Sequence, residues 1–231
     1  MNDDGAAEAR TSGGEMRKLF LVALAWVFLC GITGSWGHAA SVRQVSMDEM
    51  IQNSRLVFEG EVMFLESVET GPRRIHTYVT FRILDIIKGD YSQDTLILRF
   101  LGGTVGHVTM GVSDMVLPEP GERGIYFVES LEKMQVHPLY GWHQGHFLVK
   151  PDQTGTDRVF TRSRAPVTAV VRSWSAEQTE PGSESGTEAV TPLSKGVASG
   201  IVAGRKGMEQ NALTTGEFKR ELKKIMGRLH D

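Results

Sequence analysis

Two runs of alternating residues limit this chain more than anything else in it. "LVFEGEVMFLESVE" begins at Leu56 and "IHTYVTFRILDII" at Ile75. In the first, Leu56, Phe58, Gly60, Val62 and Phe64 fall on one face, with Glu59 and Glu61 on the other. In the second, Ile75, Val79, Phe81 and Ile83 point inward, and His76, Thr80 and Arg82 outward. Strand side chains alternate between faces, so a period of two over such lengths predicts two half-buried β-strands. "TGPRR" turns the chain between them. The phase breaks at Leu84–Asp85, which predicts a bulge or bend. "KGD" (Lys88–Asp90) is a second turn, and "TLILRF" (Thr95–Phe100) is a third strand.

The stretch that follows, "FLGGTVGHVTMGVSDM", resembles a phosphate loop only in its glycines. A Walker loop needs a lysine after its last glycine, and none follows Gly106. A dinucleotide fingerprint needs GxGxxG between a strand and a helix, and here "HVTMGV" continues a β pattern. Gly102 and Gly103 are expected to form a turn at positive φ, and Gly106 and Gly111 to allow bends in a curved strand. After "PEPGER", the run "GIYFVE" is apolar on both faces, which suits a central strand. Phe127 is expected to fill a barrel interior with Phe58, Val62, Phe81 and Leu98, and Tyr126 and Val128 to lie under a helix. "PLYGWHQGHFLVK" and "RVFTR" add one or two strands. Short strands with no long helix between them predict an all-β fold, a small OB-like barrel or a sandwich. One short helix precedes the strands. In "SMDEMIQNS", Ser46 and Glu49 make a capping box, and Met47, Met50 and Ile51 share a face.

Compartment is read from the first forty residues. Arg17 and Lys18 precede "LFLVALAWVFLCGI", fourteen uncharged residues, short of the about 20 that span a membrane. Small residues follow at Gly37 and Ala39. Residues 1–40 are therefore expected to be a cleaved secretory signal, with translation starting at Met16 as an option and an uncleaved anchor as the alternative. The expected location is periplasmic or extracellular. Cys30, the single cysteine, leaves with that signal, so the mature chain has no internal disulfide and relies on core packing. The net charge of −3 argues against nucleic acid as a partner.

The expected organisation is a β domain over residues 41–162, a disordered linker over 163–213 and an amphipathic C-terminal helix over 214–231. The linker is inferred from "SWSAEQTEPGSESGTEAVTPLSKGVASG", which has too little apolar surface to offset the entropy of ordering. In the tail, Thr214 and Glu217 fit a capping box. Phe218, Leu222, Ile225, Met226 and Leu229 form one stripe opposite a basic face. Phe218, Leu222, Ile225 and Leu229 are the candidate partner surface. Such a stripe docks on its own domain, binds a partner groove or lies on an anionic membrane.

Chemistry-bearing patterns are sparse. His143 and His146 are the candidate metal pair, but in a strand residues three apart face opposite sides. Rim histidines are the plainer reading, and His107 and His137 are distant in sequence. Glu59 and Glu61 stand about 7 Å apart by strand geometry, within the range of glycosidase carboxylates, yet on a face that reads as solvated. "GSESG" at Gly182–Gly186 has glutamate where GxSxG has serine. No catalytic residue and no cofactor are assigned.

The segments "VFEGEV", "YVTFRILDIIKGD" and "PGERGIYFVE" together resemble the netrin/TIMP-like branch of OB-fold domains, in its cysteine-free bacterial exported form, over Met47 to Val149. The resemblance implies a closed five-stranded barrel with rim helices, used for protein binding. Animal members inhibit metalloproteases through an N-terminal cysteine amine, which this chain lacks once mature. The function expected is a non-catalytic module for a protein or envelope partner. The alternatives are an accessory or inhibitor of a secreted protease, or a metal-dependent hydrolase.

Overall fold

The computed structural model describes residues 42–171, 196–205 and 207–230. The expected signal lies outside these residues. Ten strands form in the described chain: β1 (Leu56–Gly71), β2 (Arg74–Lys88), β3 (Thr95–Leu101), β4 (Gly103–Val105), β5 (Val108–Met110), β6 (Arg123–Val128), β7 (His146–Pro151), β8 (Asp157–Thr161), β9 (Val167–Val170) and β10 (Ile201–Ala203). Helix α1 spans Met47–Asn53 and α2 Thr215–His230. Six strands make one antiparallel sheet in the order β3-β2-β1-β6-β7-β8. β4–β5 and β9–β10 are separate pairs.

The sheet is open, which corrects the closed barrel. β3 and β8 are its two edges and do not pair with each other. Loops take the place of closing strands. Met115 and Leu117 pack over one face, and Leu139 is buried in it.

Both faces of the sheet carry core. On one, Leu56, Phe58, Val62, Phe81, Tyr126 and Val128 pack with β3 side chains. Phe58 and Tyr126 stack with ring centroids 5.3 Å apart, and Phe81 meets Tyr126 edge-on at 4.7 Å. On the other, Val57, Ile125, Phe127 and Phe147 lie under both helices. Phe127 is fully buried as expected, but on the face opposite to the one expected. Alternation says which residues share a side, not which cover lies over that side.

The bulge at Leu84 is present. Glu59 pairs with Asp85 and Gly60 with Ile83, leaving Leu84 extra on β2. A further irregularity at Met63 lies between the pairs Val62–Phe81 and Phe64–Thr80. It reverses the phase of the distal half of β1. Leu65 turns to the core, and Phe64, expected inward, is 56% exposed. Gly102 and Gly103 take positive φ, as read from the sequence, and β4–β5 turn back at Gly106.

Both helices are capped as their sequences require. Ser46 Oγ accepts from Glu49 N–H at 3.0 Å. Lys88 Nζ donates to the carbonyls of Ser54 and Gln52 (2.7 and 3.1 Å) and to that of Ile51, closing the C-terminal end of α1. Thr214 and Glu217 cap α2 reciprocally, through Glu217 N–H to Thr214 Oγ1 at 3.2 Å and Thr214 N–H to Glu217 Oε2 at 2.9 Å.

The tail stripe docks on its own domain. Phe218, Leu222 and Ile225 are buried in the core with Phe147 and Val159, and Phe218 lies 5.0 Å from Phe147, ring to ring. Three of the four residues of the expected partner surface, Phe218, Leu222 and Ile225, are thus covered by the chain's own domain. Leu229 remains 40% exposed. The segment expected to be a linker is ordered at both ends. Val167 of β9 and Ala198 are core residues, because pairing of β9 with β10 lets sparse apolar residues reach the helix-covered face. Residues 172–195 lie outside the described ones.

Candidate binding edge

Strand β3 ends the sheet with one side of its backbone unpaired by any described strand. Ile83 N–H donates to the Asp94 carbonyl and Gly102 N–H to that of Ile75, both at 2.8 Å, one at each end of β3. Between them the register runs Leu96–Phe81, Leu98–Val79 and Phe100–Thr77. In an antiparallel ladder, hydrogen-bonded pairs recur at every second residue. The even-numbered residues therefore bond to β2, and the N–H and C=O groups of Thr95, Ile97 and Arg99 point away from the sheet. Tyr91 Oη donates to the Thr95 carbonyl at 2.8 Å.

The same alternation decides the side chains. Leu96, Leu98 and Phe100 enter the core. Ile97 stands on the opposite face, 60% exposed. It lies in a cross-strand row with Thr80 and Phe64, so two exposed apolar side chains flank a buried threonine in the row that runs inward from the edge. The next row is polar: Glu66, Tyr78 and Arg99.

A groove of about 240 Å³ separates the β3 edge from the loop Ser130–Gln135. Leu131 and Met134 are exposed beside it, Met134 at 77%. The loop is built on rigid feet. Glu129 N–H donates to the Pro138 carbonyl at 3.0 Å, and Tyr140 N–H to that of Phe127 at 2.8 Å. Ser130 Oγ accepts from Lys133 N–H at 2.9 Å. His137 anchors it from below. Its ring stacks on Trp142 at 5.2 Å and meets Phe100 of β3 edge-on at 5.3 Å. His137 Nδ1 accepts from Leu139 N–H at 3.1 Å. Burial lowers its pKa to about 3, so it serves as a neutral aromatic spacer.

Charge in the groove is uneven. Arg99 and Lys133 line it against one carboxylate, Glu132. Arg99 makes no ion pair with another described residue. Burial first, then Arg99 and Arg74, hold His76 below the ordinary histidine value.

The residues singled out in the sequence lie elsewhere. His146 is fully buried at the start of β7, its Nε2 2.9 Å from Glu122 Oε1 and its ring 4.6 Å from that of Tyr126. Burial lowers its pKa against the pull of Glu122. His143 sits in the 3-10 turn Trp142–Gly145, not in a strand, half-buried near Asp114. Among the described residues, no three side chains are grouped as a metal site would need. Glu59 is buried, not solvated. Its carboxylate accepts from Arg123 Nε at 2.6 Å and lies 2.5 Å from Lys219 Nζ of α2. Glu61 stays near the surface with Arg82. The two carboxylates are thus held apart in separate ion pairs. A larger recess, about 410 Å³, lies by Phe160, Arg164 and Glu209, but its buried-side acid, Asp152, is already held by Arg158 at 2.6 Å.

Sequence reasoning passed over Ile97. The signal was present in "TLILRF": Thr95 and Arg99 mark the outward side, and Ile97 interrupts it. Tested against family models, curated proteins and solved structures, the chain matches none.

Proposed function

We propose that this chain is an exported, non-catalytic module that holds a protein partner at the β3 edge. The observation that carries this reading is the edge itself. An unpaired strand with an exposed isoleucine is an aggregation hazard that proteins ordinarily blunt with lysine, proline or a covering loop. Here the loop stands off by a groove instead of sealing the edge. The resemblance to the netrin/TIMP-like branch adds, by analogy alone, a family that works by binding proteins. Export enters through the pattern of residues 17–40.

The test is site-specific photocrosslinking. A benzophenone amino acid replaces Ile97 in the full chain, expressed in its own host, with the same replacement at Gln153 as control. A discrete adduct in the envelope or secreted fraction from position 97 alone is expected. No adduct at 97, or equal labelling from both positions, overturns the reading.

A further inference from the structure

We infer that the occupant of the β3 edge is an extended peptide segment of the partner, added as an antiparallel strand, with the pattern carboxylate, apolar, apolar. The inference rests on the binding reading above and gives it a mode.

Four backbone groups, the N–H and C=O of Ile97 and of Arg99, face the groove at strand spacing. Strand addition uses such groups for affinity and alternate side chains for specificity. Antiparallel pairing is the slightly more stable arrangement per residue. Run antiparallel, the incoming residue opposite Arg99 precedes the one opposite Ile97 by two. Both project to the face that carries Arg99 and Ile97. The first then meets an arginine with no ion pair to a described residue, and a carboxylate suits it. The second meets Ile97 in the row shared with Phe64, and an apolar side chain suits it. The residue between them points to the other face, where Leu96 and Leu98 pack, and it too is apolar.

Other occupants fit less well. A small molecule would satisfy few of the outward N–H and C=O groups that Thr95, Ile97 and Arg99 present in a row. A second copy pairing β3 to β3 about Ile97 sets each Arg99 opposite Thr95, with no carboxylate to receive it. The Ser130–Gln135 loop also lines the far side of the groove, in the path of another sheet approaching the edge.

The experiment uses the full chain and fluorescein-labelled heptapeptides read by anisotropy. The probe is Ser-Thr-Glu-Val-Ile-Thr-Ser. One comparison peptide has Lys for Glu, and one is N-methylated at the isoleucine. The Glu probe is expected to bind and the Lys peptide to bind at least about tenfold more weakly, the ratio of 1.4 kcal/mol. The methylated peptide is expected to lose binding. Arg99→Glu should reverse the preference between Glu and Lys peptides. Ile97→Pro should abolish binding with the fold intact, because that N–H bonds nothing in the sheet and proline is tolerated on edge strands. Equal binding of all three peptides overturns the proposal, as does binding unaffected by Ile97→Pro. Concentration-dependent dimerisation in sedimentation that Ile97→Pro removes overturns it in favour of a second copy. If no peptide binds while position 97 still crosslinks a partner, strand addition fails and the binding reading stands. If crosslinking fails as well, both fall.

Discussion

Glu59→Ala should destabilise the protein by about 3–5 kcal/mol, the cost of stranding the partners of a buried ion pair. The Glu59 side chain is 3% exposed, with Arg123 and Lys219 at 2.5 Å. Each pair is worth several kcal/mol of Coulomb attraction at an effective dielectric near ~20, most of it cancelled by desolvation. Removing the carboxylate leaves Lys219 of α2, 18% exposed, and Arg123, 36% exposed, without their shared acid, and part of their desolvation then goes uncompensated. Each cation keeps a second acid, Arg123 with Asp157 and Lys219 with Asp85, both at 2.6 Å. Those acids are 34% and 48% exposed, so they offset only part, which places the loss toward the lower end. Glu59→Gln keeps shape and one acceptor and should cost less, about 1–3 kcal/mol. Urea unfolding at neutral pH reads this directly. With a slope of about 1–3 kcal/mol per molar, the alanine variant moves its midpoint by roughly 1 M or more. Molar salt should leave most of the effect, because buried pairs are weakly screened. Glu61→Ala is the internal control, expected within about 0.5 kcal/mol. Equal midpoints for Glu59→Ala and Glu61→Ala would refute the argument and return Glu59 to the solvated face that the sequence suggested.

Phe127→Ala should cost about 3–5 kcal/mol in the same assay, since its ring is fully buried and packs edge-on against Phe147 at 5.8 Å; a midpoint like that of the wild type would place it outside the core. Gly103→Ala should cost at least about 2 kcal/mol, because φ is 134° and a Cβ there falls on Thr77 Oγ1 and 2.6 Å from Ser67 Oγ. Gly106→Ala, with φ of 57° and open space around it, should cost about 1 kcal/mol, and equal losses would show that the contact with Thr77 and Ser67 is not what matters. His137 binds its proton far less well folded than unfolded, so between its ordinary value and about 3 the unfolded state holds more protons and stability falls as the pH drops. His137→Phe should flatten part of the fall in melting temperature between about pH 6.5 and pH 4.5, worth up to about 1.4 kcal/mol per unit; parallel curves for variant and wild type would exclude it.

What the chain determined locally, it determined well. The alternation of Leu56–Val62 and Val79–Phe81, the break at Leu84, the caps at Ser46 and Thr214 and the positive φ of Gly102 and Gly103 are properties of a few neighbouring residues, and local sterics and hydrogen bonding settle them. Tertiary structure decided the rest. Period two divides residues between two faces but cannot say which is dry, so Glu59 read as solvated until α2 lay over it with Lys219. The bulge at Met63 rotated Phe64 outward, a change of register that depends on the partner strand. Sparse apolar residues in the segment read as a linker, Val167 and Ala198, became core because strand pairing brought them there from either side of residues 172–195. The tail stripe carries the same apolar residues whether it meets a partner or its own domain, and only the apolar face of β6–β8, bare without it, decides that it folds back. The binding edge is the plainest case. "TLILRF" specifies a strand with one apolar residue too many on its outer side; that no described strand lies beyond β3 is a fact about where the other strands of the sheet went.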